Sequence, residues 1–318
     1  MSDAGERADH LGDRDDIVAP FQLEGRAVRG RVARLGPLID EILRAHDYPY
    51  PVAALTGEAA LLALLIGSGM KFEGRLIIQA SSKDGVDGPV SFVVADYTVG
   101  EGLRAFAKYD AEGVAKLEAE KGRQPGAQTL IGQGLFVMTI DQGSDMQRYQ
   151  GVTELQDGSL ARSAEDYFMQ SEQLPTRIRL AVGREMEAGG GQNWRAGGAM
   201  IQRLAEDETR PGDDEDFDHA RALFDTLTDV ELIDREVSAG RLMYRLFHEE
   251  GVRIFEAETM VKRCTCERAR LARILASFSE DDLDHMIQDG AIVMTCEYCN
   301  RDWRFDPNEV EAAGRGPA

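Results

Sequence analysis

All four cysteines of the chain fall after residue 263, as a Cys-x-Cys pair at Cys264 and Cys266 and a Cys-x-x-Cys pair at Cys296 and Cys299. A pair separated by one or two residues places two thiolates in one tight turn. Two such turns brought together complete a tetrahedral sulfur shell, the geometry Zn²⁺ prefers, so one zinc per chain is expected in the reduced form. A secreted disulfide scaffold would spread its cysteines along the chain, so their confinement to one end points to metal and to a reducing, cytoplasmic address. The residues between the pairs can form helices, with Leu271, Ile274, Leu275, Phe278, Leu283, Met286 and Ile287 as the apolar face. Residues 258–310 therefore read as a small C-terminal zinc domain and 311–318 as a tail.

At 318 residues the chain is long enough for a second, larger core ahead of that module. Val28 to Leu43 carries apolar residues at helical spacing, and a second apolar helix follows from Gly57 to Ser68. From Gly74 onward the period changes. GRLIIQA, VSFVVAD, LRAFAKY, GLFVMTI, QGVTELQ, RIRLAV and AMIQRL are short β-type segments, separated by turn signals such as Lys83-Asp84-Gly85 and Asp157-Gly158. One helix interrupts them from Ser159 to Glu172, and its Tyr167, Phe168 and Met169 read as core rather than as a client-binding face. Strands and helices that do not strictly alternate argue for an α+β core domain with a mixed sheet, over residues 21–205.

Residues 1–20 are acidic and poor in apolar groups, which predicts a disordered tail that lacks the core of a signal peptide. Between Glu206 and Asp218 the chain reads EDETRPGDDEDFD, an acidic run with a Pro-Gly break that marks a boundary. Two helical stretches follow, with Leu223, Phe224, Leu227 and Val230 on one and Leu242, Met243, Leu246 and Phe247 on the other. Both are too short to persist alone, so residues 206–257 read as a metastable helical linker that must lean on something else.

The net charge of -21 opposes binding to nucleic acid or to an anionic membrane surface. The longest apolar stretch, Ala59 to Ile66, is too short to span a bilayer. Gly132 and Gly134 precede a strand rather than a helix, and no Walker motif is present, so ATP is not expected. His46, His219, His248 and His285 stand without a nucleophile, so the chain does not read as an enzyme. A shell filled by four protein thiolates has no open position for water, which argues against hydrolysis. Three roles for the site stay open on spacing alone: a permanent structural zinc, an RNA-facing ribbon, and a switch. Lys262, Arg263, Arg268, Arg270, Arg273, Arg301 and Arg304 are the cations available to offset the thiolate charge. The Cys-x-Cys half favours the switch, because the very small ring it can close is strained and easily reduced again.

The chain resembles the redox-regulated 33 kDa heat-shock chaperones, bacterial holdases. The likeness rests on RYQGVTEL (148–155), EDYFMQSEQLPTR (165–177), AGGAMIQ (196–202), EDFDH (215–219), YRLFHEE (244–250) and the two cysteine pairs, in the family's order. The tail before Phe21 and GREMEAGGGQNW (183–194) depart from the pattern. The resemblance implies an ATP-independent holdase that is inactive when reduced and zinc-bound. Oxidation would form disulfides, release the metal and let the protein hold unfolded clients. It assigns the ligand role to Cys264, Cys266, Cys296 and Cys299. Loop-closure entropy then favours the near-neighbour disulfides, Cys264 with Cys266 and Cys296 with Cys299, and the activated form is expected to be a homodimer.

Overall fold

The computed structural model describes residues 15–70, 73–83, 88–143, 146–186, 189–204 and 214–314. In chain order the first unit holds β1 (Ile17–Leu23), β2 (Val28–Leu35), α1 (Pro37–Arg44), α2 (Tyr50–Gly67), β3 (Arg75–Ser82), β4 (Val90–Thr98), β5 (Gly102–Tyr109), α3 (Ala111–Lys121), α4 (Ala127–Ile131), β6 (Gly134–Asp141), β7 (Tyr149–Glu154), α5 (Leu160–Ser171), β8 (Thr176–Met186) and β9 (Gln192–Arg203). The linker continues it with α6 (Asp214–Phe224), α7 (Asp229–Ile233), α8 (Ala239–Phe247), β10 (Val252–Ile254) and β11 (Glu258–Thr259). The fold is α+β, and the mixed sheet expected of the core resolves into two antiparallel sheets. One runs β10-β1-β2-β9-β8 with β11 also on β1, the other β5-β4-β3-β6-β7.

Helix α2 lies in the main core with residues of both sheets and is almost wholly apolar. By length and composition it could cross a membrane, but 83% of it is buried within the protein. It begins seven residues ahead of Gly57, because Pro51 in its first turn starts a helix rather than stopping one. The seven β-type segments each fall on a strand, with only Gly74, Leu155, Gln156 and Leu204 overhanging the ends, and α5 forms where expected, with Ser159 as its N-cap. Tyr167 and Phe168 are core residues, whereas Met169 is exposed.

Two expectations at the N-terminal end need correction. Val28 to Leu35 is strand β2, and the helix starts only at Pro37. The first sheet is covered on both faces: Val28 and Val32 face one core, Ala33 and Leu35 the other. Burial on both faces removes the two-residue alternation that marks a strand and leaves a spacing that mimics a helix. The disordered tail assigned to residues 1–20 overlaps strand β1, which starts at Ile17; residues 1–14 lie outside the described residues. Asp16 accepts hydrogen bonds from the Gly36 and Leu38 N–H groups, at the start of α1, and Asp15 pairs with Arg195 at 2.7 Å. Asp15 and Asp16 are therefore docked, and four apolar or neutral residues follow them into the sheet.

Residues 205–213, most of the expected boundary, lie outside the described residues, as do Asp84 and Gly85 of one turn signal and two residues of the GREMEAGGGQNW segment. The linker beyond them folds into the same compact unit as the core, which ends at Lys262. Helices α6 to α8 bury Phe217, Phe224, Leu232, Leu242, Met243 and Phe247 in one cluster with Phe21, Val28, Val32, Ala199 and Ile201 of the first sheet. Full burial of such side chains contributes about 2 kcal/mol each, enough to hold helices that could not persist alone. Val230, expected on the apolar side, is exposed, because α7 is a single short turn whose buried side carries Leu232.

Arg263 to Ala318 form a second unit. It contains α9 (Arg268–Leu275), α10 (Glu280–Met286), a three-stranded sheet of β12 (Ile287–Gln288), β13 (Ala291–Thr295) and β14 (Asp302–Phe305), and α11 (Pro307–Gly314). Among the described residues its buried apolar core consists of Ala272, Leu275, Ile292, Phe305 and Val310. Ile274, Phe278 and Met286, expected on the apolar face, are exposed, since so small a core takes only one side of each helix. A module with this little buried surface needs a staple to be stable.

Candidate metal centre and the arm that leads to it

The four cysteines lie in two turns of the second unit. Cys264 and Cys266 sit just ahead of α9, where the Glu267 N–H bonds the Thr265 carbonyl at 3.0 Å. Cys296 and Cys299 occupy the loop of the β13–β14 hairpin. The Cys296 N–H bonds the Arg301 carbonyl at 3.0 Å and the Asn300 N–H returns to the Cys296 carbonyl at 2.8 Å. Asn300 takes a left-handed conformation, φ 53°, which this turn needs and which asparagine tolerates better than most residues. Below the loop Thr295 Oγ1 donates to Asp302 at 2.7 Å and closes the hairpin base.

The sulfurs converge. Cys264 Sγ lies 3.1 Å from Cys266 Sγ and 3.5 Å from Cys296 Sγ, Cys266 Sγ lies 3.4 Å from Cys299 Sγ, and all four fall within 4.8 Å of one another. None is in a disulfide. A tetrahedron of sulfurs about 2.3 Å from a central Zn²⁺ has edges of about 3.8 Å, so the donor set fits that ion in type, number and spacing.

Backbone N–H groups point at the sulfurs: Cys266 toward Cys264, Tyr298 and Cys299 toward Cys296, and Arg301 toward Cys299. Burial pushes the Cys264 and Cys299 thiols up, and the Cys266 and Cys296 thiols add to the rise at both. At Cys296 burial acts in the same sense, but the two N–H groups and the adjacent thiols outweigh it and hold this thiol below its ordinary range. Side-chain cations were expected in that supporting role, and several are engaged elsewhere. Lys262 pairs with Glu41 at 3.1 Å, Arg268 with Glu309 at 2.6 Å, and Arg270 donates to Thr265 at 3.2 Å. Tight turns converge their own amides on a sulfur at no cost in side-chain ordering, which is why the main chain takes the role.

The arm that ends at this site is stitched to the first unit almost to its last residue. β10 and β11 pair antiparallel with β1, and Met260 is buried in the main core with its N–H on the Asp16 carbonyl at 2.6 Å. The Leu103 N–H bonds the Val261 carbonyl at 3.0 Å. The first cysteine follows two residues after the last anchored one, Lys262.

Sequence patterns gave no hint of how the linker is held. Arg34 and Arg195 reach linker main-chain carbonyls. Gly197 on β9 lies so close to α7 that an added Cβ would sit 1.9 Å from the Leu232 carbonyl oxygen. Only the two-residue signal Gly197-Gly198 inside a strand could have drawn notice, as a mark of close backbone approach.

A family model described as Hsp33 protein matches residues 16–306. The chain is 50% identical over 301 residues to the 33 kDa chaperonin of Caulobacter vibrioides strain NA1000, covering 94% of this chain and 98% of that one. It is 36% identical over 302 residues to the 33 kDa chaperonin of Shewanella loihica, covering 93% and 95%. Among solved structures, the 33 kDa chaperonin (heat shock protein 33 homolog) of Thermotoga maritima superposes with a TM-score of 0.74 at 20% identity, covering 94% of this chain and 98% of that one, a likeness of fold.

Proposed function

The chain belongs to the Hsp33 family of chaperones, and from that premise we propose that it is a redox-regulated, ATP-independent holdase whose switch is the Cys264, Cys266, Cys296, Cys299 centre. The observation that carries the reading is the placement of that centre. Four thiols with zinc spacing begin two residues after the last anchored residue of a linker whose helices cover an apolar face of the first sheet. When bound, zinc supplies a closed tetrahedral link between the two turns and no open position for chemistry.

In the reduced form the four thiolates would hold the ion, with the backbone amides steadying them, and would so staple the small second unit. An oxidant such as hydrogen peroxide takes two electrons from each thiolate pair as one S–S bond forms and its own O–O bond breaks, with two protons from solvent completing two waters. Disulfide sulfurs are poor ligands, so the shell opens. The spatial contacts alone do not choose a pairing, since Cys264 and Cys266 sulfurs lie 3.1 Å apart and cross-motif sulfurs only slightly further, at 3.4 and 3.5 Å; loop-closure entropy favours Cys264 with Cys266 and Cys296 with Cys299. The unstapled unit unfolds, the adjoining arm loses its fixed end, and heat frees the linker. The exposed surface then binds unfolding proteins in the cytoplasm and favours self-association into a homodimer. Neither nucleic acid nor a membrane has a part in this reading.

The test treats the zinc-loaded protein with peroxide at mild heat and follows suppression of a thermolabile enzyme's aggregation, with peptide mapping of the same sample. Suppression appearing only after oxidation, with the two near-neighbour disulfides, is the expected result. Equal activity in both states, or none in either, rules out the holdase switch. Crosslinks mainly between the motifs refute the pairing alone.

A further inference from the structure

Between Phe247 and Ala272 one side chain is buried, that of Met260, which is 7% exposed. Its neighbours on the arm, Thr259 and Val261, lie at the surface. Helices α6 to α8 pack in the cluster of Phe21 and Ile201 on one face of the first sheet, whereas Met260 belongs to the main core on the other face, with Val18, Ala33 and Leu103. The main chain is fastened on both sides of it, by the Met260 N–H on the Asp16 carbonyl at 2.6 Å and the Leu103 N–H on the Val261 carbonyl at 3.0 Å. Cys264 follows four residues later. The end of the arm is thus held in the core by a single thioether, next to a centre read as the target of oxidants. A thioether packs as an apolar group, but an oxidant converts it into a polar sulfoxide. Met146, Met169, Met186 and Met286 are 37% to 63% exposed and meet an oxidant with the arm docked or free. Met260 meets it only when the arm leaves.

We propose, resting on the holdase reading, that Met260 is a modification site that makes activation persist: released with the arm, its thioether takes an oxygen atom from a peroxide, and the sulfoxide keeps the arm from docking again. The sulfur attacks one peroxide oxygen, the O–O bond breaks and an S–O bond forms. The departing hydroxide takes the proton of the transferred hydroxyl, so the products are one sulfoxide and one water. Sulfur loses two electrons and the peroxide gains them. Access and reactivity set the order, because thiolates are the stronger nucleophiles and the neutral thioether stays covered until the second unit loses its staple. Return of the arm would bury a polar oxygen among apolar side chains, which opposes docking. Reduction of the disulfides and return of zinc then restore the second unit but not the arm, and the protein goes on holding clients. A sulfoxide-reducing enzyme closes the cycle.

The test treats the zinc-loaded full-length protein with hydrogen peroxide at mild heat and follows zinc release, disulfides and methionine sulfoxides by mass mapping against time. Dithiothreitol and zinc are then added. Met260 should gain one oxygen only after zinc release, whereas the four exposed methionines need not wait for it. After the thiols are reset, wild type should still be cut by protease between Val252 and Lys262 and still suppress aggregation. Met260→Leu, which conserves volume, should lose both on reset. Methionine sulfoxide reductases A and B should return wild type to the closed state. Met260→Gln, long and polar as the sulfoxide is, probes the latch without oxidant. In the reduced, zinc-bound state it should be cut in that segment about tenfold faster than wild type, the ratio that one buried amide left unpaired carries. Oxidation of Met260 before zinc leaves, or an unmodified Met260 in protein already cut there and stable as such after reset, overturns the proposal. So does wild type that closes with the sulfoxide in place, or Met260→Leu that persists as long as wild type. If oxidised wild type never suppresses aggregation the holdase reading falls, while the mass and protease readouts still decide the latch.

Discussion

Replacing Cys299 by Ser is expected to drop the zinc content of the reduced protein from one per chain to near zero and to unfold residues 263–314. Among the described residues the unit's buried core is five residues, while a structural Zn²⁺ contributes about 10–16 kcal/mol of apparent binding free energy in modules of this size. No rearrangement of so small a core can offset that loss. Amide exchange in β13 and β14 should become fast in the variant, as in wild type stripped by a chelator, while α2 and the second sheet of the first unit stay protected. Zinc near one per chain in a variant with all four cysteines replaced by serine would refute the ligand assignment. Slow exchange in β13 and β14 without metal would refute the stapling argument.

Gly197→Ala is expected to free the linker without any oxidant. The added methyl carbon would lie 1.9 Å from the Leu232 carbonyl oxygen and 2.6 Å from its carbonyl carbon. Both are main-chain atoms, and Gly197 is itself held between β2 and β8, so neither side can give way cheaply. Overpacking of this kind costs about 1–3 kcal/mol even against mobile side chains, and more against backbone. Helix α7 must lift, and Arg34 and Arg195 lose its carbonyls together. The reduced, zinc-bound variant should therefore suppress aggregation about as well as oxidised wild type, with its cysteines intact and its zinc at one per chain. Inactivity of that variant until oxidised, with a linker as protease-resistant as wild type, would show that α7 docking does not hold the protein off.

The convergence of the four cysteines was legible because its signal is local: two pairs, each within one turn, need only be brought together. The strands of the second sheet were legible too, since one face of GRLIIQA or GLFVMTI is less buried than the other and the alternation survives. β2 was not, because Val28 to Leu35 is covered on both faces. β1 was masked by its neighbours: the charges up to Asp16 outweigh Ile17, Val18 and Ala19, and Pro20 reads as a break. The linker's helices followed from amphipathic spacing, but their berth could not. Arg34 and Arg195 look like surface arginines in a strand, and what makes them matter, carbonyls some 200 and 38 residues further along the chain, exists only in the fold.

Control of the linker by thiol state is tested most directly by limited proteolysis of the reduced zinc form and of the oxidised form, each taken from the tube in which aggregation suppression is measured. Oxidation with mild heat should open new cuts between about Asp214 and Lys262, in step with the gain of activity, while residues 17–203 stay resistant. Identical fragments from two samples that differ in chaperone activity would contradict the account.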